Sequence, residues 1–416
     1  MSDYRLTPEW DRRAGRVPAM SEGPPAMRRF PLGVVLVSTM VASTFTLFAL
    51  AVLASPIIDD LGISRVAIGV IGSVNTGLGA LTAPWTGRIT DRIGPRRAVL
   101  GLLALSALAM LLVGLASNVW VLVAAYVLGG LPQGGGNPAT NALIAATLPA
   151  GERGVMTGIK QSGVTLAVFI SGVTLPTIEA AWNWQGAYVV FGVVFLGLTA
   201  ICWCLLPTEV GGPSHDRHAS DRGEEAALPP FIRRLGVYAL LMGLAGGAIG
   251  RFLPLFAEEE LGYSLAIAGL AASLGGLLGM GFRIMAARIA ETRLAPTPLL
   301  VRLSGTAVVS SALLALSVPF GRWLLWPAVV FYALGHTAWN AVANLAVIMN
   351  VPPRDAGRAS GVIILGFLMG LTIAGPATGA IVDVAGRYEV VWWLSVALAA
   401  ASACVLAVRP PEHREQ

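Results

Sequence analysis

Charge is scarce in this sequence. Asp, Glu, Lys and Arg make up 12% of its 416 residues, while 55% of the residues are hydrophobic. A soluble domain usually has roughly 25% charged residues. The shortage of charge therefore argues against a cytosolic enzyme, a secreted domain or a fibrous protein. It indicates a polytopic membrane protein, because twelve crossings at about 20 residues each use roughly 240 residues.

Cysteine is rare as well, and chemical motifs are missing. The three cysteines, Cys202, Cys204 and Cys404, lie inside apolar runs, as small core residues do. They give no support for a disulfide framework or a thiolate metal cluster. The sequence also contains no phosphate loop, metal-binding helix motif or nucleophile elbow. We therefore expect no cofactor, no metal ion and no enzyme activity.

Twelve apolar runs follow one another along the chain, and we number them as spans one to twelve. Their periodicity and length predict an all-α polytopic membrane protein. A first run of about 25 residues that is followed by eleven more is typical of a retained helix and not of a cleaved signal peptide. The predicted spans are 30–54, 64–86, 98–116, 119–146, 155–177, 184–206, 235–257, 264–287, 298–318, 322–349, 358–380 and 389–408.

The basic residues outside these runs are distributed unevenly. If the N-terminus is cytoplasmic, the cytoplasmic segments hold 21 Lys and Arg residues and the outer loops hold 3. Short cytoplasmic segments retain such a positive excess. We therefore expect a multi-pass protein of the cell membrane, specifically of a bacterial inner membrane, with both termini cytoplasmic. The net charge of +5 reflects this topology and not a nucleic-acid partner.

The chain divides into two related halves. Polar segments at 1–29, 207–234 and 409–416 predict two tails and a central linker, which leave six spans in 30–206 and six in 235–408. The sequence LGIS at 61–64 recurs as LGYS at 261–264, and further along the offset becomes 203. Two pseudo-symmetric six-helix halves explain this repeat, and such repeats are typical of secondary transporters with a site between the halves.

The most specific motif is GRITDRIGPRR at 87–97, between spans two and three. Its glycines suit a tight turn, and its carboxylate can pair with arginines and a helix N-terminus. The motif closely resembles the signature loop of the major facilitator superfamily, and the resemblance extends from Phe30 to about Arg409. It implies alternating access around a central cavity. It also implies a gate between the halves that involves Gly87, Asp91, Arg92, Gly94 and Arg96.

The second half carries a weaker copy of this motif, with Arg288 and Glu291 at the corresponding positions. Leu294 stands where Gly94 was, and Pro296 where Arg96 was. A second latch is therefore less well supported than the first. A loop of this kind also serves as a topological signal, although a protein that no longer cycles between conformations has no need to keep the whole motif. This favours a transporter over a membrane sensor or scaffold.

Candidate substrate contacts are polar residues inside the spans, where a charge is costly unless it faces a cavity or a partner. No Asp or Glu falls near the middle of a predicted span. Lys160, the single lysine of the chain, lies near the inner end of span five. It is expected either to face the cavity as a compact cation or to extend toward the cytoplasmic interface.

Two intramembrane arginines are further candidates. Arg283 lies about one turn inside span eight. An arginine here resembles those of superfamily carriers of monocarboxylates and oxalate, although Gly279 replaces the Asp found one turn earlier in monocarboxylate carriers. Its planar fork suits a carboxylate, and extension to the interface is the alternative. Arg251 in span seven is expected to line the outer vestibule or to pair with the acidic residues 258–260.

Spans four and ten each carry a polar stripe, because residues four apart share one helix face. We expect these stripes either to line the cavity or to hydrogen-bond neighbouring helices. His336 titrates near neutral pH and is a candidate proton carrier, or else a hydrogen-bonded structural residue. The stripes consist of Gln133, Asn137 and Asn141 in span four and of His336, Asn340 and Asn344 in span ten.

These features predict a secondary active transporter for a small organic anion, specifically a carboxylate. The cations inside the spans and the lack of a central carboxylate favour this substrate class. A multidrug or antibiotic exporter of the same fold is the alternative. The expected partners are the substrate and the lipid bilayer, with proton or counter-anion coupling, no nucleic acid and a monomeric state.

Overall fold

The computed structural model describes residues 29–207, 229–351 and 353–407. The predicted N-terminal tail up to residue 28, the linker residues 208–228 and the C-terminal tail from residue 408 lie outside the described residues. The described part is all-α, and ten of its helices are long and apolar enough to cross a membrane. One of the ten holds two predicted spans, and span ten is divided into shorter pieces, so the twelve spans are confirmed.

Spans one to six form the N-terminal half. Span one consists of two helices that are separated at Leu53, and spans five and six are consecutive parts of one helical segment. The helices are Arg29–Val52 and Ala54–Leu61 for span one, Arg65–Ile93 for span two, Pro95–Gly114 for span three, Val119–Thr147 for span four and Ala150–Leu205 for spans five and six.

Spans seven to twelve form the C-terminal half. Span seven begins at Pro230, five residues before the predicted start, because a proline is readily accommodated in the first turn of a helix. The helices are Pro230–Glu259, Leu265–Thr292 and Pro296–Phe320 for spans seven to nine, then Arg322–Leu324 (3-10), Leu325–Tyr332, Ala333–Thr337 (π) and Ala338–Asn350 for span ten, Pro353–Ala385 for span eleven and Glu389–Ala407 for span twelve.

The sequence repeat corresponds to a repeated turn. Gly62 and Gly262 both have positive φ, 59° and 65°, which glycine adopts without strain. Two residues later, Ser64 and Ser264 accept hydrogen bonds from the backbone N–H groups at the starts of spans two and eight. Equivalent residues therefore stop one span and start the next in both halves.

The signature motif is more helical than its glycines predicted. Span two continues through Gly87 to Ile93, and the turn is made at Gly94 alone, with φ 86°. Gly87 is thus a helical residue and not part of the turn. Pro95 then starts span three. The turn in the second half differs, because Leu294, at the position matching Gly94, does not have a positive φ. Among the described residues, Asn183 is the only non-glycine that does.

Asn183 divides spans five and six. Its backbone has φ 68° and ψ 175° inside an otherwise helical segment. The side-chain Oδ1 accepts a hydrogen bond from Gly186 N at 2.9 Å, so Asn183 acts as the N-cap of span six. The predicted start of span six at residue 184 agrees with this break, which is made by one capping side chain.

The bundle has two faces, which we call terminal and distal. On the terminal face, where the described chain begins and ends, Arg96 Nε donates to the Leu206 carbonyl at 3.1 Å and joins the start of span three to the end of span six. On the opposite, distal face, Asp60 accepts hydrogen bonds from Trp184 Nε1 at 3.0 Å and Gln185 Nε2 at 2.9 Å. The faces correspond to the two sides of a membrane.

Candidate functional site

The two halves are joined at the distal face. Arg65 of span two makes a two-pronged ion pair with Glu259 of span seven, at 3.0 and 2.7 Å. The same guanidinium lies 3.5 Å from Asp383 of span eleven, whose Oδ2 also accepts from Val66 N at 3.1 Å. Arg65 is about one-third exposed, so these contacts add specificity more than stability.

A turn between spans eleven and twelve covers this ion pair. Tyr388 donates its hydroxyl to Glu259 at 2.8 Å and its backbone N–H to Glu260 Oε1. Burial raises the pKa of the Glu260 carboxyl above its ordinary value, although the Tyr388 N–H partly opposes the shift. Burial and the neighbouring Glu259 carboxylate likewise raise the pKa of the Tyr388 phenol.

Glycines allow the halves to touch backbone to backbone just inside this face. A Cβ built on Gly69 of span two would lie 2.2 Å from the carbonyl oxygen of Gly375 in span eleven. A Cβ on Gly172 of span five would lie 2.2 Å from that of Gly269 in span eight. Neither crossing tolerates a side chain, and such contacts are typical of small-residue interfaces in membranes. The distal side is therefore closed.

Arg251 crosses between the halves beneath these contacts. It lies in span seven and is 8% exposed. Its Nη1 donates to Gly69 O at 3.2 Å and to Ser73 Oγ at 2.9 Å, and its Nη2 lies 3.5 Å from Thr76 Oγ1. All three partners are neutral and belong to span two. Arg251 thus does not pair with the acidic residues 258–260. Its side chain lies in the closed vestibule between the halves.

A cavity of about 150 Å³ lies between the halves, next to Arg251. Both halves contribute to it, and most of the lining is apolar or small. Arg283 is the one formally charged side chain in the lining. The lining residues are Phe48, Ala51, Val52, Val164, Thr165, Val168, Ser171, Gly250, Leu253, Ala272, Gly275, Gly276, Gly279, Arg283, Tyr332 and Thr337.

Arg283 is held by the irregular part of span ten. Its Nε donates to the Thr337 carbonyl at 3.0 Å, at the end of the π turn Ala333–Thr337. A π turn disturbs the regular backbone hydrogen bonds and is frequent at functional sites. Within the described part of the chain, the Nη atoms of Arg283 have no hydrogen-bond partner, so they can bind a ligand in the cavity.

Gly279, one turn before Arg283, lies close to span ten. A Cβ at this position would lie 2.6 Å from Thr337 Oγ1. Span ten therefore occupies the space that an acidic side chain would need. Arg283 therefore has a neutral partner, the Thr337 carbonyl.

Lys160 lies against span four and does not line the cavity. Its side chain is 1% exposed, and its Nζ donates to Asn137 Oδ1 at 3.1 Å, Thr140 Oγ1 at 3.0 Å and Asn141 Oδ1 at 2.6 Å. An ammonium has three donors, and all three are satisfied. The sequence predicted that Lys160 faces the cavity or extends toward the cytoplasmic interface. The structure shows neither, because the side chain extends toward span four.

The span-four stripe is partly brought together around this lysine. Asn137 and Asn141 are exposed, while Gln133 is half-buried and its Oε1 accepts no hydrogen bond from the described residues. The amides of Asn137 and Asn141 therefore separate the Lys160 ammonium from the surface. The sequence named Lys160, Asn137 and Asn141 as separate candidates and did not predict that they contact one another.

The span-ten stripe is not brought to the cavity. His336 is buried within the C-terminal half, with its Nε2 3.4 Å from Ser311 Oγ and its ring tilted against that of Tyr332. Asn344 Nδ2 donates to both Asn340 oxygens at 2.9 Å, so these amides bind each other along the helix. The π turn Ala333–Thr337 changes the direction in which the following side chains point. A prediction from regular four-residue spacing could not include this change.

The gate candidates lie on the terminal face. Asp91 is half-buried, while Arg92, Arg288 and Glu291 are exposed. Arg96 contacts span six within its own half, with its guanidinium 4.8 Å from the Trp203 ring centre. Sequence reasoning missed Tyr332 and Thr337, which line the cavity without any charge to mark them.

Comparisons with known proteins agree with this architecture. The family model described as Major Facilitator Superfamily matches residues 34–365, which is most of the chain. A probable sulfoacetate transporter, SauU, of Cupriavidus necator is 25% identical, over 83% of this chain and 85% of its own length. The multidrug resistance protein MdtG of Enterobacter lignolyticus is 27% identical, over 71% of this chain and 74% of its own length.

A solved structure shares the fold. A bacterial homologue of the human lysosomal transporter Spinster, in an inward-facing and occupied conformation, superposes with a TM-score of 0.71. The match covers 91% of this chain and 95% of that one, with 16% sequence identity. The sequence relatives are thus named for different compounds, sulfoacetate in one case and multiple drugs in the other, and the solved structure shows the shared fold.

Proposed function

The chain belongs to the major facilitator superfamily, and we propose that it is a secondary active transporter that carries a small organic anion by alternating access. The observation that carries this proposal is the cavity between the halves. Arg283 is the one charged side chain in its lining, and no carboxylate lies in that lining to neutralise it. An anionic substrate would supply the missing charge.

The geometry of Arg283 suits a carboxylate or a sulfonate. The Thr337 carbonyl fixes Nε, so the two Nη groups project as a fork that can bind two oxygens of one anionic group. The Tyr332, Thr165 and Thr337 side chains add polar groups to an otherwise apolar wall. In such a wall a charge-assisted hydrogen bond is stronger than in water.

Cavity size favours a small anion over a drug. Sites for drug-sized ligands usually occupy about 300 to 1,000 Å³, whereas this cavity occupies about 150 Å³. An exporter of neutral or acidic drugs remains the second candidate, since Phe48, Val168 and Leu253 give the cavity an apolar wall and MdtG is among the relatives. That candidate requires the cavity to expand on binding.

Membrane placement and coupling follow from the charges. The positive excess of the terminal face supports a cytoplasmic position for this face in a bacterial cell membrane, so that the closed distal side faces outward. We also propose that the transporter acts as a monomer. The cavity lining holds no carboxylate that could carry a proton. We therefore propose anion exchange, or symport in which the substrate itself carries the proton.

A binding screen tests the proposal. The purified protein is heated with small carboxylates, small sulfonates, neutral drugs or cationic drugs, because binding to the native state raises apparent stability. We expect stabilisation by at least one anion class and its loss in Arg283→Gln. Arg302→Gln is the matched control, since Arg302 also lies in a span but is exposed outside the cavity lining.

The outcomes separate the candidates. Stabilisation by drugs alone would favour the exporter. Binding without uptake or exchange in liposomes would favour a sensor. Stabilisation by an anion that survives in Arg283→Gln would show that the anion does not bind at Arg283 in the cavity.

A further inference from the structure

Arg251 is a buried cation whose described partners are all neutral. Its guanidinium reaches from the C-terminal half to Gly69 O, Ser73 Oγ and Thr76 Oγ1 of the N-terminal half. A buried charge is costly unless hydrogen bonds satisfy it. The contact is therefore favourable only while spans two and seven stay together.

The acceptors are arranged for a guanidinium. Ser73 donates its own hydrogen to the Thr372 carbonyl at 2.6 Å, and Thr76 donates to the Gly72 carbonyl at 3.0 Å. Both hydroxyl oxygens are thus left to accept from Arg251. Glycine provides the space, since a Cβ on Gly72 would lie 2.9 Å from the guanidinium carbon of Arg251.

We propose that Arg251 is a conformational lock that holds the distal side closed and, once that side opens, becomes the first residue to bind an anion arriving from it. The second part rests on the proposed function. Opening separates spans two and seven and removes all three acceptors together. The released guanidinium then needs a new partner, and an anion in the open vestibule provides one.

The position of Arg251 links this lock to the cavity. The preceding residue, Gly250, lines the cavity that also contains Arg283. The Arg251 fork cannot hold an incoming anion and the span-two oxygens at the same time. Closure of the distal side therefore displaces the anion toward Arg283, so that lock formation and substrate transfer become one event.

Two variants test separately the two roles proposed for Arg251, the lock of the closed distal side and the first anion-binding residue of the open one. Ser73→Ala removes an acceptor of Arg251, together with the Ser73–Thr372 hydrogen bond, and keeps the guanidinium. Arg251→Gln removes the guanidinium and keeps the Ser73–Thr372 bond. Both are placed in a background in which Cys202, Cys204 and Cys404 are replaced and a single cysteine stands at the cavity position Ala272. A membrane-impermeant thiol reagent is then added on the distal side of sealed vesicles. Arg302→Gln serves as the control.

We expect both variants to accelerate labelling of the cavity cysteine severalfold, and the control to leave it unchanged. We also expect Arg251→Gln to raise the KM for anion uptake from the distal side about tenfold, as for loss of a charge-assisted hydrogen bond. Ser73→Ala should leave that KM within about threefold of the wild type, since it retains the guanidinium.

Unchanged labelling in both variants would overturn the lock. Equal changes of KM in the two variants would overturn the proposal that Arg251 binds the incoming anion. The labelling assay needs no substrate, so it decides the lock even if the transporter proves not to carry anions. Conversely, anion binding that depends on Arg283 together with unchanged labelling would uphold the proposed function and reject the lock.

Discussion

Arg283 of span eight donates to the carbonyl oxygen of Thr337 in span ten at 3.0 Å, next to a helix contact that Gly279 permits. The guanidinium is thereby fixed by a backbone atom, whose position depends on the course of the helix and not on a rotamer. Changes in the packing of spans eight and ten should therefore alter anion binding even when Arg283 itself is kept.

Gly279→Ala tests this dependence. The new methyl group would lie 2.6 Å from Thr337 Oγ1, and such overpacking typically costs about 1 to 3 kcal/mol. We expect lower thermal stability and weaker anion binding. Gly281→Ala is the control, because nothing lies within 4 Å of its Cβ, and we expect a change within about 1 kcal/mol. Equal effects of the two variants would contradict the argument.

Replacement of Arg283 by lysine separates charge from geometry. Lys supplies the charge without the planar fork, so it should retain part of the anion affinity, whereas Gln should lose about tenfold to a hundredfold. Titration of the thermal shift with the anion measures both affinities. If Lys restores the full affinity, the fork geometry is unimportant.

The cluster around Lys160 should behave as one unit. Asn141→Ala leaves a buried ammonium short of its 2.6 Å partner and should destabilise the protein by about 1.5 to 3 kcal/mol. Lys160→Met removes the charge together with its need for partners, and in that background we expect Asn141→Ala to cost within about 0.5 kcal/mol. Denaturation of the four proteins gives the coupling energy, and simple additivity would refute the unit.

Closure of the distal side should depend on the glycine crossing. Gly69→Ala would place a methyl group 2.2 Å from the Gly375 carbonyl oxygen and should disfavour the closed state by about 1 to 3 kcal/mol. Gly77→Ala on the same helix meets Thr372 only at ordinary contact distance, 3.6 Å, and is the control. The cysteine-labelling assay should detect faster distal access for Gly69→Ala alone.

Glu260 should make stability depend on pH. Burial raises the pKa of its carboxyl in the native state, so folding favours the protonated form. Its contribution is present below the ordinary value, near 4.5, and is lost as the pH rises through the native pKa. Glu260→Gln stays neutral, keeps an acceptor for Tyr388 N, and should flatten this decline in the melting temperature.

The control for the pH experiment is Glu389→Gln, on the same face. The groups that influence Glu260 are Glu259 and Glu389, which raise its pKa, and Arg387 with the Tyr388 N–H, which lower it. We expect Glu389→Gln to retain most of the pH dependence. Parallel melting curves for the wild type and Glu260→Gln would refute the assignment.

Hydropathy predicted the number and order of the spans, and the repeat predicted which spans of the two halves correspond. Their ends were predicted less well, because hydropathy detects the apolar part of a helix and span two continues through polar residues to Ile93. The start of span six was predicted at residue 184 and agrees with the break at Asn183. The turn at Gly94 was predicted correctly, and the turn at Gly87 was wrong.

Side-chain direction was the part that the sequence could not supply. Lys160 and Arg283 were both expected to contact substrate, yet Arg283 lines the cavity while Lys160 is bound to span four. A four-residue spacing defines a helix face only while the helix is regular, and His336 lies within the π turn Ala333–Thr337, where that regularity ends.

That π turn also makes the two halves chemically unequal. In span four the amides cover a cation, whereas in span ten the backbone itself holds the cation of a neighbouring helix. An anion bound to Arg283 would therefore travel with the C-terminal half, and the N-terminal half would move past it as a screen.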